Sequence, residues 1–93
     1  MIRRQVLRIL VMDDDRQLYE QAKLLVQRLE RISVDSIWAR RSSGNRGAIL
    51  RWIEQLEALE GPVELLPEDK TRINNLVDTG FRLLERAALE RLR

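Results

Sequence analysis

The sequence predicts an all-α fold: a single domain over residues 1–93, folded as an antiparallel three-helix bundle with a short basic N-terminal helical arm. Apolar residues recur at steps of three and four along most of the chain, which is the period of a helix with one buried face. Two prolines and four glycines are too few for the many turns of a β-sandwich or barrel. Acidic residues or proline lie where helices would begin, and Gly61-Pro62 is a typical helix end.

The arm, residues 1–12, carries three arginines between apolar residues. Its spacing fits a helix, although residues 6–11 also have the composition of a short strand. We favour a helix because the sequence offers no second convincing strand to pair with it. The arm lacks the continuous apolar core and cleavage site of a signal peptide, so we expect a cytoplasmic protein. No apolar run approaches the ~20 residues of a membrane-spanning helix, and we expect no membrane partner.

The first helix is predicted over residues 13–32. Asp13-Asp14-Asp15 suits its start, where carboxylates accept unpaired backbone N–H groups and meet the positive end of the helix dipole. Three adjacent carboxylates also suggest a Mg²⁺ or Ca²⁺ site. Adjacent helix residues point in different directions, however, and no calcium-binding loop follows, so we predict no metal site. The expected buried face consists of Leu18, Ala22, Leu25, Leu29 and Ile32.

The second helix is predicted over residues 34–60, with Ser33 as its N-cap and Gly61-Pro62 as its end. The positions expected to face the core are spaced alternately by four and three residues, and this spacing continues without a shift through Ser43-Gly44-Asn45. The unbroken spacing predicts one continuous helix. The positions that carry this rhythm are Trp38, Ser42, Asn45, Ile49, Trp52, Leu56 and Leu59.

The third helix is predicted over residues 67–93, because Pro67-Glu68-Asp69 suits a first helical turn. Its apolar residues cover more than half of the circumference, which is more than two neighbouring helices can bury. A partner could cover the remainder. These residues are Ile73, Leu76, Val77, Gly80, Phe81, Leu83, Leu84, Ala87, Ala88 and Leu92.

The composition excludes most enzyme chemistry. The chain has no cysteine and no histidine, which removes thiolate and imidazole nucleophiles, bases and metal ligands. We therefore expect a protein that is not an enzyme and needs no cofactor. The chain is arginine-rich, since all but two of its 17 basic residues are arginine. Residues 33–53 carry +3 and residues 54–69 carry −6, an alternation that suits self-association or a charged partner as well as DNA.

Small residues line part of the second helix at spacings of four: Ala39, Ser43 and Gly47, and likewise Gly44 and Ala48. Small side chains let two helix backbones approach closely. Each glycine inside a helix costs about 1 kcal/mol relative to alanine, and close packing would offset that cost. The packing is either internal, against another helix of the bundle, or external, against a partner.

The leading functional prediction is a non-enzymatic protein-binding module, an adaptor or oligomerisation unit that assembles with itself or with another helical protein. The two tryptophans lie fourteen residues apart and so share one side of the helix. Tryptophan and arginine dominate the energetics of buried interfaces. The predicted partner-binding residues are Trp38, Arg41, Ser43, Gly47, Arg51, Trp52, Phe81 and Leu84.

The alternative prediction starts from residues 39–53. Ala39-Arg40-Arg41 and the segment from Arg46 to Ile53 resemble the two halves of the helix-turn-helix of bacterial transcription regulators. The resemblance implies a break at residues 43–45, a second helix in the major groove of DNA, and a nucleic-acid partner. It implies nucleic-acid-binding roles for Arg40, Arg41, Arg46 and Arg51, with the last two facing the bases.

Overall fold

Three α-helices make up most of the computed structural model, which describes residues 10–32, 36–59 and 61–91. We number them α1 (Asp13–Leu29), α2 (Ile37–Glu57) and α3 (Pro67–Arg91). Each helix packs against the other two around one shared apolar core, so the predicted all-α three-helix bundle is confirmed. α1 and α3 run parallel, because Asp15 lies beside Lys70 and Leu25 beside Gly80. α2 runs antiparallel to both.

α1 buries the face that its sequence predicts. Leu18, Ala22, Leu25 and Leu29 are all buried, as steps of four and three require for one side of a helix. The helix ends at Leu29, three residues before the predicted end. Ile32 is still buried, since two tight turns after Leu29 bring it back against the core.

The arm differs from the prediction where the structure describes it. Residues 1–9 lie outside the described residues, and residues 10–12 are not helical where a helix was predicted, with Met12 extended. Leu10 is fully buried and forms a parallel bridge with Val63, and the Val11 N–H donates to the Val63 carbonyl at 3.1 Å. The pairing partner is a short loop and not a strand, which is why the sequence showed no candidate for it.

α2 is one continuous helix through Ser43-Gly44-Asn45, as the unbroken rhythm predicts. The alternative prediction of a turn there is wrong, and residues 39–53 form no helix-turn-helix. The helix begins at Ile37, because the Ser36 hydroxyl accepts a hydrogen bond from the Trp38 N–H at 3.1 Å. The predicted cap, Ser33, lies outside the described residues. After the helix ends at Glu57, Gly61 takes a φ of +81°, a left-handed conformation that favours glycine.

The Ser36 cap joins α2 to the far end of α3. Its hydroxyl also donates to Glu90 Oε2 at 3.1 Å. We expect Ser36→Ala to lower the free energy of unfolding by about 1 kcal/mol, the usual cost of losing an N-cap. Urea denaturation measures this change. Ser43→Ala, which alters an exposed serine in mid-helix, is the control and is expected to cost no stability. Equal stability of the two variants would contradict the cap assignment.

α3 is longer than the helix it runs beside. The pairs Asp15–Lys70 and Leu25–Gly80 share an offset of 55 residues (70 − 15 and 80 − 25). The same offset places the last residue of α1, Leu29, level with Leu84. The final turns of α3 therefore extend past α1 and lie near the start of α2. Leu89, in this extension, is 58% exposed, so the bundle leaves some apolar surface of α3 uncovered.

Candidate interaction surface

The side of α2 that faces away from the core carries one continuous stripe of residues. Its members are spaced by alternating steps of three and four, and they lie opposite the buried Ser42, Ile49 and Leu56. All are exposed except Gly47, which is half-buried. We call this stripe the outer face of α2; it consists of Ile37, Arg40, Gly44, Gly47, Arg51, Glu54 and Ala58.

The two glycines of the outer face have open space beside them among the described residues. A Cβ built on Gly44 or on Gly47 would have no atom of another described element within 4 Å. Of the two alternatives that the sequence left open, packing inside the bundle does not apply to these two glycines within the described residues, although Ala39 does pack against the core. No contact with another described helix offsets the cost of two glycines in a helix interior, about 1 kcal/mol each.

The close helix approach in this protein lies instead at Gly80 of α3. A Cβ there would be 2.5 Å from Leu25 Cδ2 and 2.7 Å from Asn45 Oδ1, so Gly80 lies where all three helices meet. The Asn45 amide donates to the Leu76 carbonyl at 2.8 Å and ties α2 to α3 across the same point. The sequence signal was present, because Gly80 falls in the buried four-three series with Ile73 and Val77.

The outer face is basic along most of its length. Arg40, Arg41 and Arg51 are exposed, and α2 contains no acidic residue before Glu54. Neither Arg40 nor Arg51 forms a salt bridge with another described residue. Arg46 is half-buried and lies on a different side of the helix, so the four predicted nucleic-acid-binding arginines do not share one face.

Trp38 and Arg41 lie together at the start of α2. The Arg41 guanidinium carbon lies 4.9 Å from the centre of the Trp38 ring, a cation–π contact. Trp38 is half-buried and packs against the core, because it belongs to the same seam as the buried Ser42 and Ile49. It therefore lies on the side of α2 opposite the outer face, and the exposed Arg41 covers part of its ring.

Besides Trp38, three of the predicted partner-binding residues lie away from the outer face. Trp52 is only 5% exposed and belongs to the core, so the expectation that it is an accessible anchor is corrected. Burial follows from its place on the inner seam, which the sequence rhythm already indicated. Phe81 and Leu84 are half-buried on α3 and pack against the core. Ser43, Gly47 and Arg51 do lie on or beside the outer face.

Of the three adjacent aspartates, only Asp15 is buried. Its Oδ2 accepts the Leu65 N–H at 3.0 Å. Its Oδ1 lies 3.2 Å from the Lys70 ammonium, an ion pair without the angles of a hydrogen bond. Asp13 and Asp14 are exposed. Within the described residues no cluster of three or more acidic, histidine or cysteine side chains could hold a metal ion.

No protein-family description, curated protein or solved structure matches this chain. Within residues 10–32, 36–59 and 61–91, no helix is both long enough and apolar enough to cross a bilayer. The chain's own surface is therefore the basis for assigning a function.

Proposed function

We propose that this protein is a non-enzymatic assembly module whose outer α2 face packs against a helix of a partner. The partner is a second copy or another helical protein, in which case the chain acts as an adaptor. One observation carries the proposal: Gly44 and Gly47 leave the helix backbone open on the outside, and neither makes a close contact with the rest of residues 10–32, 36–59 and 61–91. A partner helix seated there would gain the close approach that offsets their cost.

The surroundings of the two glycines supply further binding energy. Arg40 and Arg51 lie on either side of them, and arginine offers planar, bidentate hydrogen bonding to carboxylates. Arginine is also among the residues that most often dominate interfaces. A cytoplasmic location is part of this proposal.

The test is self-association of the wild type and of Gly47→Leu, measured as molar mass against concentration by light scattering. Leucine has a higher helix propensity than glycine, and a Cβ at position 47 would have no described neighbour within 4 Å, so the variant should fold at least as stably. It should nevertheless stay monomeric, because the added side chain blocks close approach. Asn75→Leu, which puts the same side chain on an exposed position of α3, should associate like the wild type. Association of Gly47→Leu at wild-type strength would overturn the proposal.

One observation favours a second candidate, binding to duplex DNA: four arginines and no acidic residue occur between Ile37 and Ile53. Phosphate contacts release counterions, so such binding would weaken steeply with added salt. The same light-scattering series with duplex DNA separates the two functions. We expect no DNA complex at physiological salt, and a salt-dependent complex lost in Arg40→Glu would establish the second candidate instead.

A further inference from the structure

We infer that the occupant of the outer face is a second copy of this chain, bound antiparallel about a two-fold axis that passes near Gly47. The inference rests on the proposed function and deepens it by naming the partner and its orientation. It is carried by the charges at equal distances on either side of Gly47, Arg40 and Glu54, which are of opposite sign.

The charges fix the orientation. Arg40 precedes Gly47 by seven residues and Glu54 follows it by seven, so each lies about 10.5 Å along the helix from Gly47. Two α2 helices that cross antiparallel at Gly47 place Arg40 of each copy opposite Glu54 of the other. The two-fold axis makes this pairing twice. A parallel crossing would instead oppose arginine to arginine and glutamate to glutamate.

The shapes agree with the same register. At the crossing point each copy presents Gly47, where no described atom lies within 4 Å of the Cβ position, so the two backbones can approach closely. Leu50, which is 37% exposed, lies about 60° around the helix from Gly47 and flanks this contact. At the ends, the exposed Ile37 faces the exposed Ala58 of the second copy. A large side chain thus meets a small one at each end of the face.

An unrelated helix of a single charge sign fits this face less well. An acidic helix would meet Arg40 and Arg51 favourably but would be repelled by Glu54. A basic helix would be attracted by Glu54 but repelled by both Arg40 and Arg51. A face that carries both signs in this order is complementary to its own reverse, which is the arrangement of an isologous dimer.

Charge reversal tests the pairing on the full chain by sedimentation equilibrium at low salt. Arg40→Glu and Glu54→Arg each turn two attractive contacts into two repulsive ones, so each should weaken dimerisation by about tenfold or more. The double variant Arg40→Glu/Glu54→Arg restores opposite charges at both contacts and should dimerise near wild-type strength. Arg82→Glu, an equal change of charge at an exposed position of α3, is the matched control and should leave the dimer intact.

Cysteine cross-linking tests the axis, since the chain has no cysteine of its own. In Gly47→Cys the two thiols would lie across the axis within the Cα separation that a disulfide allows, so oxidation should give a covalent dimer. In Ser43→Cys, on the same side of α2, the two positions would lie about 12 Å apart along the helices and should not cross-link. Equal cross-linking at both positions would overturn the antiparallel register.

The outcomes separate this inference from the proposal beneath it. A wild-type chain that stays monomeric at millimolar concentration, or a double variant weaker than both single variants, overturns the antiparallel dimer. If the charge series fails while Gly47→Leu still abolishes association, the outer face remains the assembly surface and only the pairing is wrong. If the wild type self-associates and Gly47→Leu associates equally well, the proposed function itself fails.

Discussion

Asp15→Ala is expected to lower the free energy of unfolding by about 3 kcal/mol, because it removes one partner of a buried ion pair. The Asp15 side chain is fully buried at the start of α1. It holds the Leu65 N–H in the loop before α3 and the Lys70 ammonium in the first turns of α3. Without it, a buried N–H is left unpaired and a lysine that is only 32% exposed loses its counter-charge. Urea denaturation followed by circular dichroism measures the loss.

The neighbouring aspartate provides the control for this prediction. Asp14→Ala removes the same carboxylate from an exposed position in the same helical turn, so its effect should stay within about 0.5 kcal/mol. Asp15→Asn keeps an oxygen for the Leu65 N–H and loses only the charge, so its cost should fall between the other two. If Asp14→Ala and Asp15→Ala destabilise equally, the aspartates act only on the helix dipole, as the sequence suggested, and the buried link contributes nothing.

The contrast between Asp14 and Asp15 shows where prediction from sequence stops. The helices were predictable because a period of three and four is local, and the seam through Ser42, Ile49 and Leu56 is buried as predicted. Three adjacent carboxylates look alike in the sequence. Which of them is buried depends on Leu65 and Lys70, which are fifty or more residues away and belong to no periodic pattern.

The same limit explains the interaction surface. Spacing by four identified the small residues of α2 as a group, but it did not show which of them face the core. The position of each residue relative to the buried seam does show this, because Gly44 and Gly47 fall outside the seam that contains Ser42, Asn45 and Ile49. The bond from Asn45 to the Leu76 carbonyl was not predictable, since it depends on how α2 and α3 meet.

Gly80→Ala is expected to lower the free energy of unfolding by about 2 kcal/mol, although alanine is the better helix former. The added methyl would lie 2.5 Å from Leu25 Cδ2 and 2.7 Å from Asn45 Oδ1. Leu25 is fully buried, so its side chain cannot move out into solvent to relieve the contact. Crowding of this kind in a packed core costs about 1–3 kcal/mol, which exceeds the gain of about 1 kcal/mol in helix propensity.

Gly44→Ala is the matched control, because the same methyl added there meets nothing within 4 Å. It should raise the free energy of unfolding of the monomer by about 0.5–1 kcal/mol through helix propensity alone. The two glycine-to-alanine substitutions, both in helix interiors, should therefore change the free energy of unfolding in opposite directions. Stabilisation by Gly80→Ala would show that the three helices do not meet as closely at this point.

A double-mutant cycle assigns the cost to its contact. Leu25→Ala alone opens a cavity and destabilises the bundle by about 2–5 kcal/mol. It also removes the atoms that the methyl of Gly80→Ala would meet, so the two substitutions should be less costly together than the sum of their separate effects. Residues in contact typically couple by about 0.5–3 kcal/mol, and we expect a value in that range. If the two changes in free energy of unfolding simply add, the strain does not arise at Leu25. Asn45 is then the remaining neighbour of the added methyl, and its hydrogen bond to the Leu76 carbonyl would have to shift.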